Sequence, residues 1–125
     1  MNIIISNSSG EPIYEQIVNQ MKSMIIQGEL KEGDALPSLR MLARDLRISV
    51  ITTKRAYEEL EREGFVVSVA GKGSFVAQKN TDLLREQQYK KIEEQITQLT
   101  DLAYMCGVSC DELVELIKMM YKGEM

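Results

Sequence analysis

At 125 residues the chain is long enough for one domain, or for a small domain with an appendage. A hydrophobic share of 44% suffices for a packed core, the formal net charge is −4, and only 6% of residues are aromatic. The complete absence of His removes His-based acid–base catalysis, Ser-His and Cys-His nucleophile pairs and most zinc sites, and the absence of Trp argues against stacking platforms for single-stranded nucleic acid.

Residues 1–10 read as a loose N-terminal arm with no basic n-region and too short an apolar run for a signal peptide. Pro12 suits the first turn of a helix, and Ile13, Ile17, Met21, Met24 and Ile25 recur at spacings of three and four up to Gly28. After a loop punctuated by Gly33 and Pro37, Ser38 is a good N-cap for a second helix with Leu39, Leu42, Ala43 and Leu46 on its inner face. Arg47-Ile48-Ser49 forms a turn, and Ser49 caps a third helix that faces Ala56, Tyr57 and Leu60 inward and stops at Gly64. Residues 65–69 and 74–76 read as two strands joined by Ala70-Gly71-Lys72-Gly73, where the glycines fit a hairpin turn. Three helices followed by a hairpin make a winged helix-turn-helix over 11–78.

Beyond Lys79 the pattern changes. Asn80 or Thr81 can cap a long helix over 82–106, in which Tyr89, Ile92, Ile96, Leu99, Ala103 and Cys106 form one apolar stripe. Gly107 ends it, and Ser109 with Glu112 reads as a capping box for a last helix over 110–122 with Leu113, Leu116, Ile117 and Met120 as apolar positions. The fold class is therefore α+β, mainly helical: an N-terminal winged helix-turn-helix and, over 79–125, a helical tail read as an antiparallel pair that packs on a second copy. The competing arrangement folds the tail back on its own winged helix, with Ile92, Ile96 and Leu99 as intramolecular core. Cys106 and Cys110 read as buried or half-buried packing thiols rather than a disulfide framework or a metal site, since two thiolates without His need acids to complete a shell. Eight Met, including Met119 and Met120, point to adaptable packing.

Segment 36–57 concentrates function. It carries Arg40, Arg44, Arg47, Lys54 and Arg55 against Asp45 alone, a local balance of 5 − 1 = +4 inside an acidic protein. Such a field marks where a polyanion docks. A recognition helix puts its N-terminal side chains on base edges while the preceding helix crosses the backbone. Thr52 and Thr53 can bond a phosphate or base and touch a thymine methyl, and Lys54 or Arg55 supplies charge. Arg40 and Arg44 lie one turn apart with Arg47 just beyond, able to bracket phosphates or reach a guanine bidentately, and Lys72 sits at the wing tip. Glu58, Glu59, Glu61 and Glu63 are expected to stand away from the duplex at the far end of the third helix.

These residues carry a resemblance. Glu-Pro-Ile-Tyr-Glu-Gln-Ile at 11–17, Gly28-Glu29-Leu30, Gly33-Asp34 and Leu36-Pro37-Ser38-Leu39-Arg40-Met41-Leu42-Ala43 resemble the head of a GntR-family repressor. Ala56-Tyr57-Glu58-Glu59-Leu60-Glu61-Arg62-Glu63-Gly64 and Gly71-Lys72-Gly73-Ser74-Phe75-Val76 continue it. The short tail resembles that of the YtrA-like subfamily. The resemblance implies a homodimeric bacterial transcriptional repressor on a palindromic double-stranded operator, often linked to ABC-transporter operons. By position it makes Ser38 and Arg40 phosphate and base contacts, Thr52 and Lys54 recognition-helix contacts, and Gly71 and Lys72 the wing tip. Val50 and Ile51 depart from the family's usual Arg-Thr or Pro-Asn, and an apolar pair reads methyl groups better than guanine.

Two symmetric half-sites need two readers about 34 Å apart or more, which assigns dimerisation to Tyr89, Ile92, Ile96, Leu99, Ala103, Leu113, Leu116, Ile117 and Met120. The 47 residues after position 78 are too short for the larger ligand-binding domains of other GntR types, although the dimer interface leaves room for an unknown small-molecule effector. No cofactor, metal, membrane span or catalytic motif is expected, and the default location is the cytoplasm. The alternative is a winged-helix protein-interaction adaptor that does not bind DNA, favoured by the sequence pI of 4.9 and the apolar Val50-Ile51 tip.

Overall fold

Pro12 stands at the N-cap of α1 (Ile13–Ile26), and its carbonyl accepts the first helical hydrogen bond from Gln16 N at 3.1 Å. In the computed structural model, which describes residues 1–78 and 81–123, there follow α2 (Leu39–Leu46), α3 (Val50–Arg62), β1 (Val66–Val69), β2 (Gly73–Val76), α4 (Thr81–Met105) and α5 (Cys110–Tyr121). They form two compact units, Met1–Arg85 and Glu86–Met125. Lys79, Asn80 and the Thr81 side chain lie outside the described residues, and with them the cap expected for α4.

The first unit is built around α3. Its 3-4 stripe of Thr53, Ala56, Tyr57 and Leu60 is buried, and α1 packs on one side of it while α2 packs on another. Ile17, Val18, Met21 and Ile25 of α1, Leu42 of α2, and Phe65, Val66 and Val76 of the hairpin complete one core, which Leu84 closes from the start of α4. Burial of side chains of this size contributes about 1.5–3 kcal/mol each. Lys22 and Glu63 tie the ends of α1 and α3 by an ion pair at 2.8 Å, and Lys22 also stands 5.6 Å from the centre of the Phe65 ring. The buried Tyr57 hydroxyl donates to Pro37 O at 2.8 Å, fixing the entry into α2. Burial pushes that phenol above its ordinary range, so it remains a donor.

The hairpin is antiparallel with Val66↔Val76, Val67↔Phe75, Ser68↔Ser74 and Val69↔Gly73 in register. The linker between α1 and α2 adds to its free edge: Gly33 N donates to Val76 O, Val76 N to Asp34 O and Leu36 N to Ser74 O, each at 2.9 Å. The wing and the helix-turn-helix are therefore held by one backbone ladder.

The first ten residues are not the loose arm expected. Ile3 is buried in the core and Ile5 is partly buried, while Ile4 points outward, the period-2 alternation of an extended strand. Two side-chain amides one helical turn apart hold this strand to α1. Gln20 accepts from Ile4 N at 2.9 Å and donates to Ile4 O at 2.7 Å, and Gln16 accepts from Ser6 N and donates to Ser6 O, both at 2.8 Å. Each glutamine thus satisfies both polar groups of one strand residue, replacing a sheet neighbour.

In the second unit, Gly107 takes a left-handed φ of 74° that ends α4, and Ser109 caps α5 by accepting from Glu112 N at 3.2 Å. Val108 and Leu113 are half-buried at the positions of a hydrophobic staple. Ala103 is buried, and α5 buries none of its residues. The expected antiparallel pair is not formed within one chain: α4 and α5 meet at the Gly107 corner and do not pack along their lengths, so their apolar faces stay uncovered. Cys106 and Cys110 are exposed here rather than buried, because the corner that carries them has little mass packed on it.

Candidate nucleic-acid interface

The turn between α2 and α3 is made by Arg47, whose φ of 58° is the one positive value at a non-glycine among the described residues. Its N–H caps α2, and Ile48 N donates to Ala43 O at 2.9 Å, so the chain reverses within three residues and presents α3 beside α2. A left-handed non-glycine costs about 1–2 kcal/mol, which is consistent with the guanidinium being retained for its charge. Arg47→Gly relieves that strain, offset in part by glycine's larger unfolded-state freedom. The expected result is a thermal midpoint that holds or rises while affinity for operator DNA falls; a lower midpoint would mean that the side chain itself supports the fold.

Both helix N-termini are left electropositive. Ser38 Oγ accepts from Met41 N at 3.1 Å and Ser49 Oγ from Ile51 N at 3.0 Å, and each hydroxyl keeps its proton to donate outward. Neither α2 nor α3 carries an acid in its first turn, whereas α1, α4 and α5 do. The positive end of each dipole is thus free for an anion. Arg40 and Arg44, one turn apart on α2, are exposed, as is Arg47, and none has a carboxylate partner among the described residues. Lys72 is likewise exposed and unpaired, held at the wing tip between Gly71 and Gly73 with φ of 75° and 105° and anchored by its N–H on Val69 O at 2.9 Å.

The recognition helix divides differently from the sequence expectation. Thr52 is half-buried at the tip and Lys54 is exposed, 3.9 Å from Glu58, an ion pair too solvated to hold the lysine back from a phosphate. Thr53 is a correction. It is fully buried, and its Oγ1 donates to Leu39 O at 3.0 Å and Val50 O at 2.9 Å. Its work is to pin α2 against α3, not to touch DNA. Thr53→Val keeps the shape and removes the tether, and about 1 kcal/mol of stability should go with it. Denaturant unfolding reads that loss, and the folded variant should bind operator as the parent does.

Arg55 stacks on Tyr14 of α1, its guanidinium carbon 3.9 Å from the ring centre, so its charge is fixed to the α1 side of α3. Of the acids, Glu59 is paired with Arg62 and Glu63 with Lys22, while Glu58 stands one turn beyond Lys54 on the exposed side. The buried Gln16, with Gln20 one turn on, is a functional support that the apolar stripe of α1 does not reveal; the signal for it is an amide at i,i+4 spacing beside that stripe.

Of the expected dimerisation residues, Tyr89, Ile92, Ile96, Leu99, Leu116, Ile117 and Met120 remain exposed on this chain. Ala103 is buried within its own unit, and Leu113 is half-buried at its staple position. Among the described residues, no group of three His, Cys, Asp or Glu side chains gathers to hold a metal ion, and no helix is long and apolar enough to cross a membrane.

Residues 13–76, which hold α1, the helix-turn-helix and the wing, match the family described as bacterial regulatory proteins, gntR family. The chain belongs to the GntR family. It is 40% identical over 116 residues to the HTH-type transcriptional repressor YtrA of Bacillus subtilis (strain 168), an alignment that covers 93% of this chain and 89% of that one. The structure of a transcriptional antiterminator from Listeria monocytogenes EGD-e is similar at a TM-score of 0.71 and 32% identity, covering 97% of this chain and 90% of the other. The DNA-binding domain of AraR in complex with operator ORX1 is similar at a TM-score of 0.55 and 26% identity, over 62% of this chain and 96% of that one. The chain is a GntR-family, DNA-binding transcriptional regulator with a winged helix-turn-helix reader.

Proposed function

We propose that this GntR-family regulator is a homodimeric repressor that holds a palindromic operator, either of its own operon or of a transporter's. The observation that carries the reading is the set of exposed cations Arg40, Arg44, Arg47 and Lys72, without carboxylate partners among the described residues, together with two acid-free helix N-termini. An acidic chain keeps these charges unneutralised where a polyanion can reach them. The similarity to an operator-bound domain and to a named repressor supports the same reading.

In this reading residues 11–78 are the reader, with 1–10 strapped to it, and 79–125 join two copies. Ser38, Arg44, Arg47, Ser49 and Lys54 take phosphates, Arg40 and Thr52 reach base edges, Arg55 adds charge from the flank, and Lys72 enters the minor groove or touches its phosphates between Gly71 and Gly73. The exposed stripe of Tyr89, Ile92, Ile96 and Leu99, continued by Leu116, Ile117 and Met120, meets its counterpart on the second copy. An effector has its place at that interface, where Met119, Met120 and Tyr121 offer an adaptable apolar lining. No catalysis belongs to this reading, and the protein works in the cytoplasm, where the bacterial chromosome is.

Titrating the protein into the duplex upstream of its own gene tests it. Two chains per duplex, with two protected half-sites about one helical turn or a multiple apart, are expected. Saturation at one chain per duplex would overturn the dimeric reading.

A further inference from the structure

Val50 and Ile51, the first two residues of α3, occupy the tip of the recognition helix, and neither supports the core. Ile51 is 79% exposed and Val50 43%, while the helix turns Thr53, Ala56, Tyr57 and Leu60 inward. Side chains in a helix lean towards its N-terminus, so both point beyond the tip, where base edges lie when a recognition helix enters a major groove. Lys54 stands one turn further along α3, and Arg40 and Arg44 are exposed on α2, whose first residue is tied to α3 by Thr53. A polyanion drawn in by those cations meets an apolar pair at its bases.

We infer that Ile51, with Val50, is a specificity-determining contact of this reader, and that its ligand is the C5-methyl group of a thymine in each operator half-site. The inference rests on the DNA-reading function proposed above and names the base class that the site selects. The chemistry of the groove leaves one choice among the four bases. Guanine presents two acceptors, adenine an acceptor and a donor, and cytosine a donor, whereas thymine alone adds a methyl group. An isoleucine laid on guanine O6 and N7 displaces their water and returns no hydrogen bond, an unfavourable exchange. Laid on a thymine methyl, it removes apolar surface on both sides. Thr52, half-buried beside the pair, retains a hydroxyl for the neighbouring base or phosphate.

The test starts from duplexes enriched by the full-length protein from a random-sequence pool. Each thymine of the enriched half-site is replaced in turn by deoxyuridine, which deletes the methyl and leaves every hydrogen-bonding group in place. Wild-type protein should lose about fourfold in affinity per methyl removed, and roughly fifteenfold when both half-sites lose one, as expected for burial of a single methyl-sized group. Ile51→Ala should bind the parent duplex with a similar loss and be indifferent to the same deoxyuridine. Ile51→Arg should enrich guanine at that position. Ile51 is exposed, so all three proteins should melt together.

Equal affinity of wild type for every deoxyuridine duplex overturns the inference and leaves the DNA-reading function standing. Undiminished sensitivity to deoxyuridine in both Ile51→Ala and Val50→Ala assigns the methyl to another residue and also overturns it. Failure of the wild-type protein to enrich any sequence overturns the reading on which the inference rests.

Discussion

Arg40→Ala is expected to weaken operator binding roughly thirtyfold or more, because each half-site loses about 1–3 kcal/mol of bidentate contact and the proposed dimer has two half-sites. The stability of the protein should not change. Arg40 is exposed, makes no ion pair among the described residues and stands one position inside an N-terminus already capped by Ser38, so its removal touches no packing. Surface substitutions of that kind stay within about 0.5 kcal/mol. Salt dependence separates its two roles. Loss of a phosphate contact lowers the slope of log affinity against log salt by about one per site, whereas loss of a guanine contact leaves the slope and relaxes selectivity at one base pair. An Arg40→Ala protein that binds as tightly as the parent would mean that α2 does not lie against the duplex.

Ile96→Asp is expected to convert the proposed dimer to monomer and to lower operator affinity with it. Ile96 lies mid-way along the exposed stripe of α4 between Ile92 and Leu99, and it is 50% exposed on the single chain, so the charge costs little until two tails meet. At the interface both copies would bury an unpaired carboxylate, a cost of several kcal/mol. Without the dimer, the second half-site is no longer bound intramolecularly, and about 10²–10⁴ in affinity goes with it. Light scattering reads the assembly and anisotropy the affinity. A monodisperse Ile96→Asp dimer would refute the assigned interface, and an intact affinity from a monomer would refute the need for two readers.

The reader was legible in the sequence because its determinants are local. Ser38 and Ser49 cap the helices as expected, Gly64 stops α3, and Gly71 and Gly73 place the wing turn, each through a rule that spans four residues or fewer. What was missed depends on partners far along the chain or on helix phase. The extended segment around Ile4 finds Gln20 sixteen residues away, which no periodicity reveals. Thr53 shares its chemistry with Thr52, but it lies three and four residues before Ala56 and Tyr57 and so continues the buried stripe. The stacking of Arg55 on Tyr14 joins two helices across 41 residues of sequence, so the sequence shows its charge and not its partner. Cys106 and Cys110 read as buried or half-buried thiols, but both are exposed at the corner that carries them. The left-handed Arg47 occupies a position where periodicity gives no sign that glycine's conformation is required.

An acidic chain with a concentrated basic face is expected to be a sequence-specific, electrostatically driven DNA reader. Fluorescence anisotropy with the duplex upstream of the protein's own gene, in scrambled competitor DNA and across a salt series, tests it most directly. The expected result is tight, competitor-resistant binding whose log affinity falls steeply and linearly with log salt. Affinity equal to that of the scrambled duplex, with a flat salt response, would contradict it and make the winged helix a protein-interaction adaptor.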